Sequence, residues 1–70
     1  MIRIRLRDEI FITKSIDAYP FCREIVLRTK DYEYTVTIKD TARVNALLSQ
    51  ACELGYIDFS KEDVVDIAVA

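Results

Sequence analysis

The chain is predicted to fold as an α+β domain. It should contain a small mixed or antiparallel sheet of four to five strands, in the order ββββαβ, with one amphipathic helix packed on one face. Three stretches carry this prediction. Ile2 to Arg7 alternates strictly between aliphatic and arginine residues; the apolar runs on either side of Lys30 and Asp31 match as a hairpin; and the segment after Asp40 has helical spacing ended by the only glycine, Gly55.

In the first strand, Ile2, Ile4 and Leu6 point one way and Arg3, Arg5 and Arg7 the other, the period of a half-buried strand. The arginine row is expected to face outward. Ile10 to Ile16 reads as a second strand after a turn at Asp8 and Glu9. Two registers fit it. A two-residue turn puts Phe11 opposite Leu6 and leaves Ile10 and Ile12 on the arginine face, whereas a three-residue turn buries Ile12 and exposes Phe11. Either leaves something apolar on the outer face. Val26 from a neighbouring strand adds to it, and an apolar patch rimmed by arginines has the character of a partner surface. Asp17 to Phe21 reads as a connection, with the only proline, Pro20, holding Tyr19 out of helical geometry. Tyr19 and Phe21 are expected to close one end of the core, the alternative being an exposed aromatic anchor for a partner.

The central hairpin can be read pair by pair. With Lys30 and Asp31 as a two-residue turn, Leu27 faces Tyr34 and Ile25 faces Val36 on one side. Arg28 then faces Glu33, Val26 faces Thr35 and Glu24 faces Thr37 on the other. Both strands agree on which face is buried. A slip by one residue would set Leu27 against Glu33, so the hydrophobic pattern opposes it.

Asp40 or Thr41 is placed to cap the helix by accepting from its free backbone N–H groups. Val44, Leu47, Leu48, Ala51 and Leu54 follow on one face, and Gly55 suits a left-handed C-cap. This face should lie on the inner side of the hairpin. Tyr56 to Phe59 is a short apolar return, Ser60 to Asp63 a capped acidic turn, and Val64 to Ala70 a last strand with Val65, Ile67 and Val69 alternating against Asp66 and Ala68. About 25 residues separate Ile38 from Val64, enough for a helical crossover that sets the last strand parallel to another.

Seventy residues make one domain, spanning 1–70, and a chain this short buries only about 60% of the surface its unfolded form exposes. Dimerisation is one remedy for such marginal stability. Its composition, 51% hydrophobic and 31% charged, is that of a globular chain rather than a disordered one. No apolar run approaches a membrane span and the amino terminus lacks a signal peptide's apolar core, so no membrane role and a cytoplasmic location are expected. The net charge of −2 is unevenly spread. Residues 1–30 carry seven basic and four acidic side chains, and residues 31–70 three basic and eight acidic. That polarity can steer a partner. Cys22 and Cys52 allow one disulfide at most, and two buried thiols are expected.

The absences narrow the chemistry. With no histidine the chain lacks the commonest general base and metal ligand, and one glycine excludes a glycine-rich phosphate cradle. No catalytic, cofactor-binding or metal-binding residue is assigned. Asp58, Glu62, Asp63 and Asp66 match no calcium-loop spacing and read as a solvated acidic turn, and Asp8 and Glu9 are assigned to a hairpin tip. The expected role is therefore a non-enzymatic protein-interaction module. It binds another protein, or itself as a homodimer, through Arg3, Arg5, Phe11 and Val26. A compact chain that begins with methionine and lacks catalytic residues suits a small inhibitor or adaptor of the kind phages and mobile elements encode, an expectation from size alone. The alternative is a small nucleic-acid-binding domain in which the arginine row, with Lys14 and Arg28, tracks phosphates while Phe11 stacks on a base. Neither an RNP-like motif nor a basic pI supports it.

Overall fold

The computed structural model describes residues 2–59 and 64–70. Its elements are β1 (Ile2–Leu6), β2 (Glu9–Thr13), β3 (Ser15–Tyr19), a 3₁₀ turn (Pro20–Cys22), β4 (Glu24–Arg28), β5 (Glu33–Ile38), α1 (Thr41–Leu54), β6 (Tyr56–Asp58) and β7 (Val64–Val69). The α+β class holds, with one helix packed on sheet. Among the described residues the strands number seven and divide between two sheets, a three-stranded sheet A in the order β2-β1-β6 and a four-stranded antiparallel sheet B in the order β3-β4-β5-β7.

The division arises at Lys14. The run read from sequence as one strand, Ile10 to Ile16, bends there and passes from sheet A into sheet B, so Asp17 to Tyr19 belongs to a strand rather than a connection. Two bonds to the Arg28 carbonyl fix the bend. The Lys14 N–H donates to it at 2.9 Å. The buried Thr13 hydroxyl lies 2.7 Å from the same oxygen and 2.8 Å from the Ser15 carbonyl. Thr13→Val keeps the shape and removes the hydroxyl, and is expected to cost about 1 kcal/mol in urea denaturation. A change below a few tenths would show that the backbone bond alone holds the corner.

The central hairpin adopts the expected register at every pair, from Glu24 opposite Thr37 to Arg28 opposite Glu33. Its tip is not a primed turn, since neither Lys30 nor Asp31 takes a positive φ. Thr29 closes it instead, donating its N–H to the Tyr32 carbonyl at 2.8 Å and accepting the Tyr32 N–H on its hydroxyl at 3.0 Å. The first hairpin differs from expectation. Its turn is Arg7-Asp8, with Arg7 left-handed at φ 56°, so Phe11 stands opposite Ile4 rather than Leu6. The parity of the two-residue alternative is retained, leaving Phe11 inward and Ile10 and Ile12 outward.

The helix is capped as read. The Asp40 carboxylate accepts the Arg43 N–H at 2.7 Å, and Gly55 ends the helix at φ 64°, donating its N–H to the Ala51 carbonyl. Val44, Leu47 and Ala51 enter a core built with Ile25, Leu27, Val36 and Ile38 of sheet B and Ile4, Leu6 and Ile57 of sheet A. Leu54, read as part of that face, is exposed at the helix end. The parallel partner in the fold is β6, which follows the helix and lies alongside β1. The last strand, expected to be parallel, is antiparallel to β5. A register shift at Thr37/Ile38 puts Val64 opposite Ile38 and Asp66 opposite Thr37, so Val65 bulges into solvent while Ile67 packs on the core. The expected turn from Ser60 to Asp63 lies outside the described residues.

Candidate interaction face

Alternation along IRIRL and EIFIT sends every second side chain to the outside of sheet A. Pairing then sets these side chains in two rows. One row is Ile12, Arg3 and Tyr56, and the other is Ile10, Arg5 and Asp58. Neighbouring strands lie about 4.8 Å apart, so each row spans about 10 Å. The face is graded from an aliphatic column on β2, through a cationic column on β1, to a mixed column on β6. Ile10 and Ile12 are 64% and 56% exposed, and Arg3 and Arg5 are exposed beside them. The Arg3 guanidinium sits over the Tyr56 ring at 5.6 Å from its centroid, an orientation that fixes a long side chain on an otherwise open surface.

The four residues named from sequence are thus separated. Arg3 and Arg5 share the outer face of sheet A. Phe11 does not join them, because it faces inward and stacks on Tyr34 with ring centroids 5.1 Å apart. Val26 is on the other sheet, buried at 8% between Asp17 of β3 and Thr35 of β5 and outside the core cluster. Arg28 runs diagonally past it to Asp17 and also bonds Glu33 at 2.8 Å, so this arginine belongs to an ion triad on sheet B and not to the arginine row. Those two carboxylates, with the bond to Asp17 foremost, raise the Arg28 pKa. Ile10, Ile12 and Tyr56 take the vacated places. The isoleucines follow from the two-residue reading of the first hairpin, whereas Tyr56 needs the parallel β1–β6 pairing, which no local pattern announces.

Comparison with protein-family models, with curated proteins and with solved structures returns no match for the chain. The face therefore has to be interpreted from its own chemistry.

A second exposed feature lies at the β3–β4 end. Tyr19 is 46% exposed and Phe21 fully exposed, correcting the expectation that both close the core. The loop around them is firmly held. The Pro20 carbonyl accepts both the Arg23 N–H and the Thr41 hydroxyl at 3.0 Å, and the Arg23 carbonyl accepts the Ile38 N–H at 2.7 Å. These bonds tie the loop backbone to the β5–α1 junction, and the Phe21 ring projects from it into solvent. Cys22 on this turn and Cys52 on the helix are free and exposed, where buried thiols were expected. Among the described residues no three acidic or thiol side chains converge as a cation site. Glu62 and Asp63 lie outside those residues.

Tyr34, which supports Phe11, also lines a cleft with Leu6, Glu9, Ile67 and Val69 where the two sheets diverge. Burial foremost, and then the charge of Glu9, raise its phenol pKa above the ordinary value of 10.0. Below that value the phenol is neutral in both folded and unfolded chains. As pH rises past it the unfolded chain ionises first, so stability falls through the folded pKa. Alkaline titration of stability should therefore show a loss beginning near pH 10 that Tyr34→Phe reduces. Equal losses in both proteins would count against the partly buried Tyr34 phenol as the cause.

Proposed function

We propose that this protein is an interaction module that acts by binding another protein through the outer face of sheet A, in the manner of a small inhibitor or adaptor. The observation that carries the reading is the exposed pair Ile10 and Ile12 beside Arg3 and Arg5. Scattered surface aliphatics are ordinary. Two on adjacent positions of one face, flanked by arginines, have the composition of an interface, in which aliphatic contacts lose water and arginine supplies oriented hydrogen bonds. Eight of the chain's twelve acidic side chains lie in residues 31–70, and an acidic or mixed partner surface suits the arginine column.

Nucleic acid is the second reading, and the geometry favours it less. Phe11, the ring a base would stack on, faces Tyr34, and the Tyr56 ring is covered by Arg3. The isoleucine column offers phosphates nothing. The test is affinity capture with the folded protein as bait, with and without nuclease, beside an anisotropy titration with a labelled single strand at two salt concentrations. A nuclease-resistant protein partner, lost on Arg3→Glu with Arg5→Glu, is the expected result. Oligonucleotide affinity whose salt dependence flattens in that double variant would overturn it.

A further inference from the structure

We infer that the free edge of β2 pairs with β2 of a second copy of this chain, antiparallel and across a two-fold axis at Phe11. This inference does not rest on the partner reading, since it concerns the strand's backbone edge rather than its outer face. The edge is identified by where the backbone bonds go. Arg3 donates its N–H to the Gly55 carbonyl and the Arg5 carbonyl accepts the Phe59 N–H, so these two residues face β6. Ile2, Ile4 and Leu6 then face β2, where they meet Thr13, Phe11 and Glu9. The alternation leaves the N–H and C=O groups of Ile10 and Ile12 directed away from β1, on the side where sheet A has no further strand among the described residues.

The edge lacks the devices that usually keep edges unpaired. Among the other outer strands, β6 has three residues, β3 carries Asp17 at its centre, and β7 carries Asp66 and a bulge. From Ile10 to Thr13, β2 has no charge, proline or bulge.

A second copy fits this edge because the register is self-complementary. With Phe11 on the axis, Ile10 of one copy lies opposite Ile12 of the other, twice over, and both pairs are of the hydrogen-bonded kind. Every free edge group of Ile10 and Ile12 is then satisfied. Four isoleucines meet on the outer face, and Glu9 falls opposite Thr13 rather than its own copy. The same register brings Asp8 alongside Lys14 at each end, an opposite-charge pair made twice by the symmetry. Both residues are exposed, and neither side chain has a partner among the described residues. The two sheets A become one continuous sheet of six strands, with the arginine columns kept apart by the isoleucines.

The experiment is sedimentation equilibrium over a dilution series, with circular dichroism to confirm that each variant folds. Wild type should show twice the 8.1 kDa chain mass at micromolar concentration. Asp8→Lys sets like charges together and should weaken the dimer about tenfold or more, and adding Lys14→Asp should restore it to within about threefold of wild type. Ile12→Pro removes an N–H that only the second copy uses, a change edge strands tolerate, and should give a monomer. A wild-type monomer at hundreds of micromolar overturns the pairing. So does a dimer indifferent to Ile12→Pro, or a charge reversal that the second exchange does not rescue. Asp8→Lys leaves the exposed isoleucine and arginine side chains in place, so its capture of a protein partner reports on the functional reading separately.

Discussion

Leu27→Ala is expected to leave most of the protein unfolded in buffer. Leu27 is fully buried on β4, an inner strand of sheet B, and belongs to the core cluster that residues of both sheets and the helix form. Truncating such a leucine costs about 2–5 kcal/mol, from lost transfer energy and the cavity left behind. A domain of this length with a single core rarely exceeds about 3–5 kcal/mol of total stability. The two quantities overlap, so the variant has little or no folded margin. Thermal melts followed by circular dichroism should show a drop of roughly 10–30 °C or no cooperative transition. Phe21→Ser removes a larger ring, yet that ring is fully exposed and should alter stability by less than about 0.5 kcal/mol. A Leu27→Ala melt as high as wild type would mean the core is organised around other residues.

Ile10→Asp combined with Ile12→Asp is the variant expected to affect function most. Both side chains point away from the core, so stability should change little, apart from a modest loss of strand propensity. Binding should change greatly. Interface anchors cost about 2–4 kcal/mol each when truncated, and carboxylates there would also compete internally for Arg5 and Arg3, their neighbours on β1. A fall in affinity of about a hundredfold or more is the expected result by titration calorimetry. Retained affinity with an intact fold would remove the β2 column from the interface.

Where the folding information is local, it can be read from the sequence. The central hairpin was legible because Leu27 with Tyr34 and Ile25 with Val36 place apolar residues on one side in only one register, whatever the turn does. The helix limits were legible because Asp40 and Gly55 act within one turn of themselves. The bend at Lys14 was not, since it depends on the Arg28 carbonyl, fifteen residues from Thr13. Its consequences spread. With one strand divided into two, Val26 moved to a different sheet from the arginine row and became covered by Asp17 and Thr35. Phe11 turned inward because Tyr34, across the core, offers it a ring to stack on. Arg3 and Arg5 kept their expected face because strict alternation fixed it, while Tyr56 joined them through a parallel pairing that only the folded chain makes. Pro20 signalled a turn but not its direction, which the Thr41 and Arg23 bonds decide.

The proposed binding surface is the outer face of sheet A and not the Phe21 loop. The most direct measurement is the affinity of a captured partner for three proteins side by side: wild type, Ile10→Asp with Ile12→Asp, and Phe21→Ser. Loss of binding in the double isoleucine variant, with Phe21→Ser matching wild type, is the predicted result. Loss in Phe21→Ser, with the isoleucine variant binding normally, would contradict the account and move the interface to the β3–β4 turn.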